Sequence, residues 1–342
     1  MQRKPTMNDV ARLAGVGTMT VSRVLNGTAK VSEEAAKSVK KAIAQLNYQP
    51  NELARALRGQ RTRSIGLILP YLYDPFFAMC AHAVTSVARQ HGYSVLTTTS
   101  NEAPEIEVSE AAQMLQRNVE GLIVIPANSG PSLLTRAMLG KTPLVCFDRP
   151  LADPSYDSVL VQNQHGARRL VEHLIEHGHT AISFLGLSRQ LYTIHARLQG
   201  YRKAMSDTGL EPTALFTCQT PESTLDAVSA LLRQPQPPTA IFTANNLVTR
   251  YVFSALLQLG IKIPTDVALA GFDDFEMAEL ASPPLTVVRQ PALEIGRVAA
   301  GQLFERLERD ETQQTGSRIV LPVELVLRRS CGCRHKTAVV IH

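Results

Sequence analysis

The stretch TMNDVARLAGVGTMTVSRVLNG, residues 6–27, predicts two short helices joined by a glycine turn. Thr6 and Asp9 have the spacing of a capping box, in which polar side chains satisfy free amides at a helix start. Apolar residues at helical spacing follow, and Gly15 is expected to end the first helix. The residues predicted on its inner face are Val10, Leu13 and Ala14.

The second predicted helix places Val21, Val24 and Leu25 inward. Its other residues are polar or long, and they form an outer face narrow enough to enter a DNA major groove of about 12 Å. This arrangement is a helix-turn-helix, although an ordinary helical hairpin would show a similar pattern. The predicted DNA-contacting residues of this helix are Thr18, Met19, Thr20, Ser22, Arg23 and Asn26.

The charge distribution separates these two interpretations. Residues 1–63 contain 12 Lys and Arg against 4 Asp and Glu, whereas the remaining chain contains 23 basic and 26 acidic residues. The net charge of +5 is therefore a head at +8 joined to a body at −3. A cationic head of this kind is what phosphate neutralisation requires, so the sequence favours DNA binding.

Three segments, DVARLAGV, TVSRVLNG and YQPNELARAL, resemble the DNA-binding head of the lactose-repressor (LacI/GalR) family of bacterial transcription regulators. The resemblance implies a head over residues 1–50. Gly17 stands where this family usually has a serine that caps the recognition helix and touches a phosphate. Glycine caps a helix almost as well but has no hydroxyl, so we expect that phosphate contact to be missing.

A third helix is predicted from Ser32, and a short hinge helix from Glu52 to Leu57 follows Pro50. Two turns of helix are marginal alone, because nucleation costs more than so few hydrogen bonds return. The resemblance implies that this hinge, within residues 51–63, pairs with its dimer mate in the DNA minor groove. Leu57 then wedges open a base step, with Ala54 on the same face.

The bulk properties exclude several classes of protein. No apolar run reaches the roughly 18 residues that span a bilayer, and the N-terminal residues lack a secretory apolar core, so a cytoplasmic protein is expected. The five cysteines are odd in number and predict no disulfide framework. Cys331, Cys333 and His335 lack a fourth ligand at recognisable spacing, so we predict a plain tail and no metal site.

From Ser64 onward the pattern changes to alternating strands and helices. The predicted strands are SIGLIL, YSVLT, GLIVIP, LVCFD, SVLVQ, AISFLG, AIFTA and VALAGFD. They favour an α/β body of two Rossmann-like lobes, and the resemblance implies lobes of periplasmic-binding-protein type. The predicted body is 64–337, with one lobe of 64–160 plus 292–320 and another of 161–291 plus 321–337. No GxGxxG or GxxxxGK follows a strand, so no nucleotide cofactor is expected.

Polar residues follow several of these strands, at the edge where open parallel sheets bind ligands. Segments such as FDRP, RLQGYRKAM and LAGFDD resemble the family's regulatory domain, which implies effector contacts from Asp148, Arg197, Asn245 and Asp273 and a pocket wall from Phe77. Two departures are Asn246 in place of Asp, and Gln162 and Asn163 in place of Asp and Asn. The complete predicted effector set is Phe77, Asn128, Asp148, Arg149, Arg197, Asn245, Asp273 and Gln290.

The sequence therefore predicts a DNA-binding repressor, not an enzyme, that acts as a homodimer on a near-palindromic double-stranded operator. The mixture of carboxylates, amide, guanidinium and ring suits a sugar or sugar acid between the lobes. A planar purine acting as co-repressor is the alternative ligand, because stacking with Arg and Asp contacts also fits a base. A solute-binding protein for uptake and an enzyme using the cleft are the competing functions, and neither explains the basic head.

Overall fold

The computed structural model of the chain describes residues 5–26, 31–48, 62–127, 133–309, 315–333 and 338–341, with only the backbone described for residue 26 and residues 338–341. The chain divides into a head, Met1–Thr62, and a body, Arg63–His342. No helix in the described ranges is long and apolar enough to span a lipid bilayer. The helices of the head are α1 (Met7–Ala14), α2 (Thr18–Asn26) and α3 (Glu33–Leu46).

The start and end of α1 follow the local sequence signals. The Asp9 carboxylate accepts hydrogen bonds from the Thr6 backbone amide at 2.9 Å and the Thr6 hydroxyl at 2.6 Å. Gly15 ends the helix in the left-handed conformation, with a φ of 67° that glycine adopts without a Cβ penalty. Ser32 caps α3 by accepting from the Ala35 amide at 3.3 Å. The predicted limits of α1 are therefore confirmed by capping contacts that are local in sequence.

The predicted inner face of α1 was wrong at one position. Leu13 is 50% exposed, whereas Ala11 is 5% exposed and joins Val10, Val21 and Val39 in the core of the head. The buried stripe also includes Met7 and Ala14. Because successive residues rotate by about 100° around a helix, Leu13 falls to one side of a stripe centred on those positions.

Lobe 1 of the body is a six-stranded sheet in the order β11-β5-β4-β3-β1-β2, with every adjacent pair parallel. Parallel strands with helices on the sheet faces give near-continuous apolar runs, as the sequence has here. Its strands are β1 (Ser64–Leu69), β2 (Ser94–Thr99), β3 (Gly121–Val124), β4 (Leu144–Phe147), β5 (Asp157–Val161) and β11 (Arg318–Leu321). Its helices are α4 (Pro75–Gln90), α5 (Pro104–Gln116), α6 (Arg136–Leu139) and α12 (Ala292–Arg309).

Lobe 2 is a seven-stranded sheet in the order β13-β12-β10-β9-β8-β6-β7, in which β12 pairs antiparallel with β10 and β13. Its strands are β6 (Ile182–Leu185), β7 (Thr213–Leu215), β8 (Ala240–Thr243), β9 (Ala268–Phe272), β10 (Thr286–Arg289), β12 (Val323–Val326) and β13 (Ala338–Ile341). Its helices are α7 (Asn163–Glu176), α8 (Tyr192–Asp207), α9 (Pro221–Leu232), α10 (Asn246–Gln258) and α11 (Glu276–Leu280). The two parallel-sheet lobes and the helical head confirm the predicted fold class.

The chain passes between the lobes near Gln162, near Gln290 and at Pro322. The last passage divides the segment RIVLPVELVLRRS into two strands. They lie in different sheets: β11 extends lobe 1 beside β5, and β12 extends lobe 2 beside β10. Pro322 separates them because it has no amide to donate to either ladder.

The residues after β12 are not the plain tail predicted from the sequence. Cys331 is fully buried and Cys333 is 7% exposed. The segment folds back over lobe 2, where the Ser330 carbonyl accepts from the Leu269 amide at 2.9 Å and the Arg329 amide donates to the Pro284 carbonyl at 3.1 Å. These contacts join residues about 45 to 60 positions apart, so no local pattern encodes them.

Close packing of α12 against α4 depends on a glycine. A Cβ at Gly296 would overlap the Cys80 carbonyl oxygen and approach the Ala83 Cβ at 2.9 Å. At Gly301, five residues later in the same helix, no atom of the described residues lies within 4 Å of the position that a Cβ would occupy. The two glycines therefore allow the effect of helix packing to be separated from that of helix propensity.

We expect Gly296→Ala to destabilise the protein by about 1–3 kcal/mol, because a methyl group against a backbone carbonyl forces the helices apart. Gly301→Ala should instead stabilise it by about 0.5–1 kcal/mol through helix propensity. The free energy of unfolding by urea, followed by circular dichroism, measures both changes. Equal effects of the two substitutions would contradict the packing argument.

Candidate functional site

The outer face of α2 is open to solvent. Met19 is 68% exposed, and Thr18 and Arg23 are also exposed, whereas Thr20 and Ser22 are half-buried. Val21 is fully buried and anchors the opposite face in the core of the head. The side chain of Asn26 lies outside the described residues. This face presents the Arg23 guanidinium, the Thr18 hydroxyl and the Met19 thioether, which can contact base edges and thymine methyls.

Gly17 lies directly before α2 and leaves room for a larger residue. Its carbonyl oxygen accepts from the amides of Thr20 at 2.9 Å and Val21 at 3.2 Å, which begins the helix. A Cβ at this position would meet no atom within 4 Å. A serine would therefore fit at position 17. Packing within the described head does not require glycine there.

Helix α3 adds exposed positive charges to the head at Lys37, Lys40 and Lys41. The predicted hinge contacts, Ala54 and Leu57, lie outside the described residues. The described head thus combines an exposed polar helix face with exposed lysines, and both can contact a DNA duplex.

In the body, a buried arginine organises the polar residues of lobe 2. Arg197, on α8, is 2% exposed. Its Nε donates to Asn163 Oδ1 at 2.8 Å, and its Nη1 donates to the Ala244 carbonyl at 2.8 Å and to Asp273 Oδ2 at 3.3 Å. The guanidinium carbon lies 3.8 Å from the centroid of the Phe272 ring, a cation–π contact. Strand ends and helices are thereby tied to one charged group.

Two polar atoms beside this arginine have no hydrogen-bond partner among the described residues. Gln290 Nε2 donates to Asp273 Oδ1 at 2.6 Å, but the Gln290 Oε1 atom is buried and unpaired. Asn163 Oδ1 accepts from Arg197, but the Asn163 Nδ2 atom is buried and unpaired. An unpaired buried polar group costs about 1–3 kcal/mol, so these atoms are candidates for ligand contacts.

Lobe 1 contributes a second charged cluster. Arg149 donates to both carboxylate oxygens of Glu102, at 2.5 and 2.7 Å, to Asp148 Oδ2 at 3.2 Å and to the Pro126 carbonyl at 3.1 Å. Burial opposes its charge, but the contacts with Glu102 and Asp148 raise the pKa of Arg149 above its usual range. Burial raises the pKa of Asp148 to about 6, against the lowering effect of Arg149 and Arg197.

Asp148 and Asp273 occupy matching positions in the two lobes. Each follows a phenylalanine at the carboxyl end of a strand, β4 or β9, and each has a positive φ, 64° for Asp148 and 74° for Asp273. Their amides donate to the carbonyls of Val159 at 3.0 Å and Val288 at 2.8 Å. Aspartate tolerates the left-handed region better than most residues, and such strained positions cluster at functional sites.

A direct hydrogen bond joins the lobes at the edge of this cleft. Asn246 Nδ2, at the start of α10, lies 3.1 and 3.3 Å from the two carboxylate oxygens of Asp74, which caps α4. Burial raises the pKa of Asp74, and the neighbouring charge of Asp273 raises it further. Carboxylates from both lobes therefore converge on the cleft.

A cavity of about 230 Å³ opens beside Asp273 and Gln290. Phe76 and Met79 line it from lobe 1, and Phe275 lines it from lobe 2. Phe77, the predicted pocket wall, is buried and does not line this cavity, and its ring centroid lies 5.4 Å from that of Phe76. The Asn245 side chain caps α10 by accepting from the Val248 amide at 3.0 Å, and Asn128 lies outside the described residues.

Comparison with known proteins identifies the family. Residues 6–51 match "Bacterial regulatory proteins, lacI family", and residues 171–331 match "Periplasmic binding protein-like domain". The HTH-type transcriptional repressor PurR of Actinobacillus pleuropneumoniae serotype 3 is 34% identical over 328 residues, which covers 95% of this chain and 98% of that protein. The chain belongs to the lacI family of bacterial regulatory proteins. It is a DNA-binding repressor of this family, as the head and its charge predicted.

Solved structures agree with this assignment. The lac repressor dimer bound to operator and the anti-inducer ONPF is 27% identical, with a TM-score of 0.83 over 96% of this chain and 99% of that chain. The complex of the transcriptional regulator CelR with cellobiose is 31% identical, with a TM-score of 0.69 over 95% of this chain and 99% of that chain. The two-lobed body of this lacI-family repressor is thus a recurring fold.

The sequence did not identify Glu102, Asn163, Asp74 or Asn246 as members of the effector set. All four follow the carboxyl ends of strands, where the sequence pattern already places Asp74 and Asn246. Asn246, a departure from the family pattern, places a neutral amide against the Asp74 carboxylate. An aspartate there would face another carboxylate, which explains why the amide suits this chain.

We expect Arg23→Ala to weaken binding to a specific operator by about ten- to a hundredfold, because a bidentate guanidinium contact with a guanine edge contributes about 1–3 kcal/mol. The operator is first selected from random duplexes, and binding is measured on it and on random DNA at one salt concentration. Arg12→Ala is the control, because Arg12 is exposed but lies on α1 in an ion pair with Asp9. An equal loss on both DNAs would assign Arg23 to the phosphate backbone.

Proposed function

We propose that a neutral sugar bound between the lobes controls operator binding by a homodimer of this repressor. The observation that carries the proposal is a pair of buried atoms, Asn163 Nδ2 and Gln290 Oε1, which have no partner within the described part of the chain and lie on either side of the Arg197 and Asp273 ion pair. One atom is a donor and the other an acceptor. Neighbouring sugar hydroxyls can accept from the first and donate to the second, which completes the hydrogen bonding of the cleft.

The charges of the cleft favour a neutral sugar over a sugar acid. Burial raises the pKa of Asp74 and Asp148, and in both cases the charge of Asp273 raises it further. Arg149 is already held by Glu102 and Asp148, and Arg197 by Asp273. A ligand carboxylate would add a charge of the same sign to a site whose own carboxylates already repel one another.

One solved relative supports a sugar as the ligand, and another supports a dimer as the assembly. CelR is described in complex with cellobiose, a sugar, and the lac repressor as a dimer bound to operator. A two-fold symmetric dimer reads two half-sites in opposite orientations, so the operator of this protein is proposed to be a near-palindrome. Thr18, Met19 and Arg23 on the exposed face of α2 would read each half-site.

A purine is the second candidate ligand, and the aromatic lining of the cavity favours it. Phe76 and Phe275 both line the space beside Asp273. Aromatic rings can stack on a planar base while a carboxylate accepts from its ring nitrogens. The two candidate ligands differ in how they satisfy Asn163 Nδ2 and Gln290 Oε1. A purine has fewer hydrogen-bond donors and acceptors than a sugar to offer these two atoms.

We expect Asp273→Asn to raise the dissociation constant of the effector by about ten- to a hundredfold, since hydrogen bonds to charged groups contribute about 1.5–3 kcal/mol. Isothermal titration with ribose, cellobiose, gluconate and hypoxanthine identifies the class. Asp226→Asn, at an exposed position on α9, is the control. Binding of hypoxanthine alone would select the purine, and an unchanged dissociation constant in Asp273→Asn would place the ligand elsewhere.

Effector affinity should also depend on pH through Asp148, whose pKa of about 6 lies above the ordinary aspartate value. A sugar hydroxyl donates a hydrogen bond to the ionised carboxylate. Sugar binding therefore favours the deprotonated form of Asp148. Affinity should therefore be constant above about pH 7 and fall by up to tenfold per unit as the pH drops below 6. Titrations from pH 5 to 8 measure this slope. Asp148→Asn should bind more weakly with a flat profile, whereas a retained slope would assign the titration to another group.

A further inference from the structure

A buried group of two thiols and one imidazole lies in lobe 2, apart from the cleft residues described above. His173 lies on α7, and Cys331 and Cys333 lie in the loop after β12. The distance from His173 Nε2 to Cys331 Sγ is 3.3 Å, and the two sulfur atoms are 3.0 Å apart. The three ligand atoms all lie within 4.8 Å of one another. Residues 158 positions apart are thus gathered into one cluster.

The loop conformation brings both cysteines to the same side. Gly332, between them, has a φ of 80°, in the left-handed region that side chains rarely adopt. The Ser330 hydroxyl, which accepts from the Thr286 amide at 2.8 Å, fixes the preceding turn on the sheet. The cysteines are therefore held towards α7 by backbone geometry as well as by packing.

We propose that His173, Cys331 and Cys333 bind a zinc ion. Imidazole nitrogen and thiolate sulfur are the ligands that Zn²⁺ prefers, and the described group contains no carboxylate. Two thiolates neutralise the ion, so the complex carries no net charge in a buried site. Tetrahedral bonds of about 2.3 Å place two sulfur atoms about 3.8 Å apart, which requires a movement of less than about 1 Å.

The imidazole presents its Nε2 atom to the thiols, 3.3 Å from Cys331 Sγ. In the neutral tautomer that carries its proton on Nδ1, Nε2 offers a lone pair to a metal ion. Thr286 Oγ1 lies 3.2 Å from Cys331 Sγ and can support the thiolate by donating a hydrogen bond to it. The fourth position of the tetrahedron is left for a water molecule.

Zinc at this position would join α7 to the loop that follows β12. The antiparallel end of lobe 2, where β12 pairs with β10 and β13, would then be fixed to the helix that starts at the interlobe passage near Gln162. Because the folded site binds the ion and the unfolded chain does not hold the three ligands together, zinc should stabilise the protein.

The first experiment measures zinc binding to the reduced full-length protein. Metal is removed with a chelator, and Zn²⁺ is titrated in competition with a chromophoric chelator. One ion per chain is expected, with an increase in Tm. Cys333→Ser and His173→Ala should weaken zinc binding by more than about 100-fold. Replacing a residue that only hydrogen-bonds to a metal ligand already lowers metal affinity by about 10–100-fold, and loss of the ligand itself should cost more. Cys218→Ser and His195→Gln, an exposed position on α8, lie outside the three-residue group and should bind normally.

The second experiment needs no substitution. X-ray absorption at the zinc edge of the unaltered protein should show two sulfur neighbours at about 2.3 Å and a nitrogen neighbour at about 2.0 Å. A first shell without sulfur, retention of zinc in both ligand variants, or binding of Cu⁺ but not Zn²⁺ would each overturn the proposal. A disulfide between Cys331 and Cys333 in protein purified from cells without reductant would also overturn it.

Discussion

The buried ion pair of Arg197 and Asp273 is the constraint on which the regulatory body depends. A guanidinium that is 2% exposed is tolerated only where hydrogen bonds and opposite charge replace water. Arg197 meets this requirement with Asn163, the Ala244 carbonyl, Asp273 and the face of Phe272. These partners lie at the starts of helices and the ends of strands. Because the Arg197 guanidinium must hold all of them within hydrogen-bond distance, its charge fixes the shape of the lobe 2 cleft.

The cleft of lobe 1 follows the same principle with a different residue. Glu102 and Asp148 balance the charge of Arg149, and burial raises the pKa of Asp148 in spite of the nearby guanidinium. The lobes meet where the Asn246 amide donates to Asp74. The Asn246 amide is neutral and only the Asp74 carboxylate can carry charge, so this hydrogen bond is weaker than an ion pair. A ligand that changes the charge of the cleft or the separation of the lobes can therefore break it.

Much of the head and the body could be predicted from the sequence, because their signals are local. The Thr6 and Asp9 capping box was predicted and is observed, and the predicted strand SIGLIL is observed as Ser64–Leu69. Leu13 was misplaced because a two-turn helix gives a poorly defined apolar stripe. The β7 strand was missed because three half-exposed residues at a sheet edge lack the apolar run of a central strand.

The sequence by itself determined the family, the basic head and the alternation of strands and helices, since each is written in the order and spacing of neighbouring residues. Only the tertiary structure decided which side chains meet. Glu102 pairs with Arg149 across 47 positions, Asp74 meets Asn246 across 172, and His173 meets Cys331 across 158. Such contacts depend on how crossover connections place strand ends and loops together, and periodicity carries no information about them.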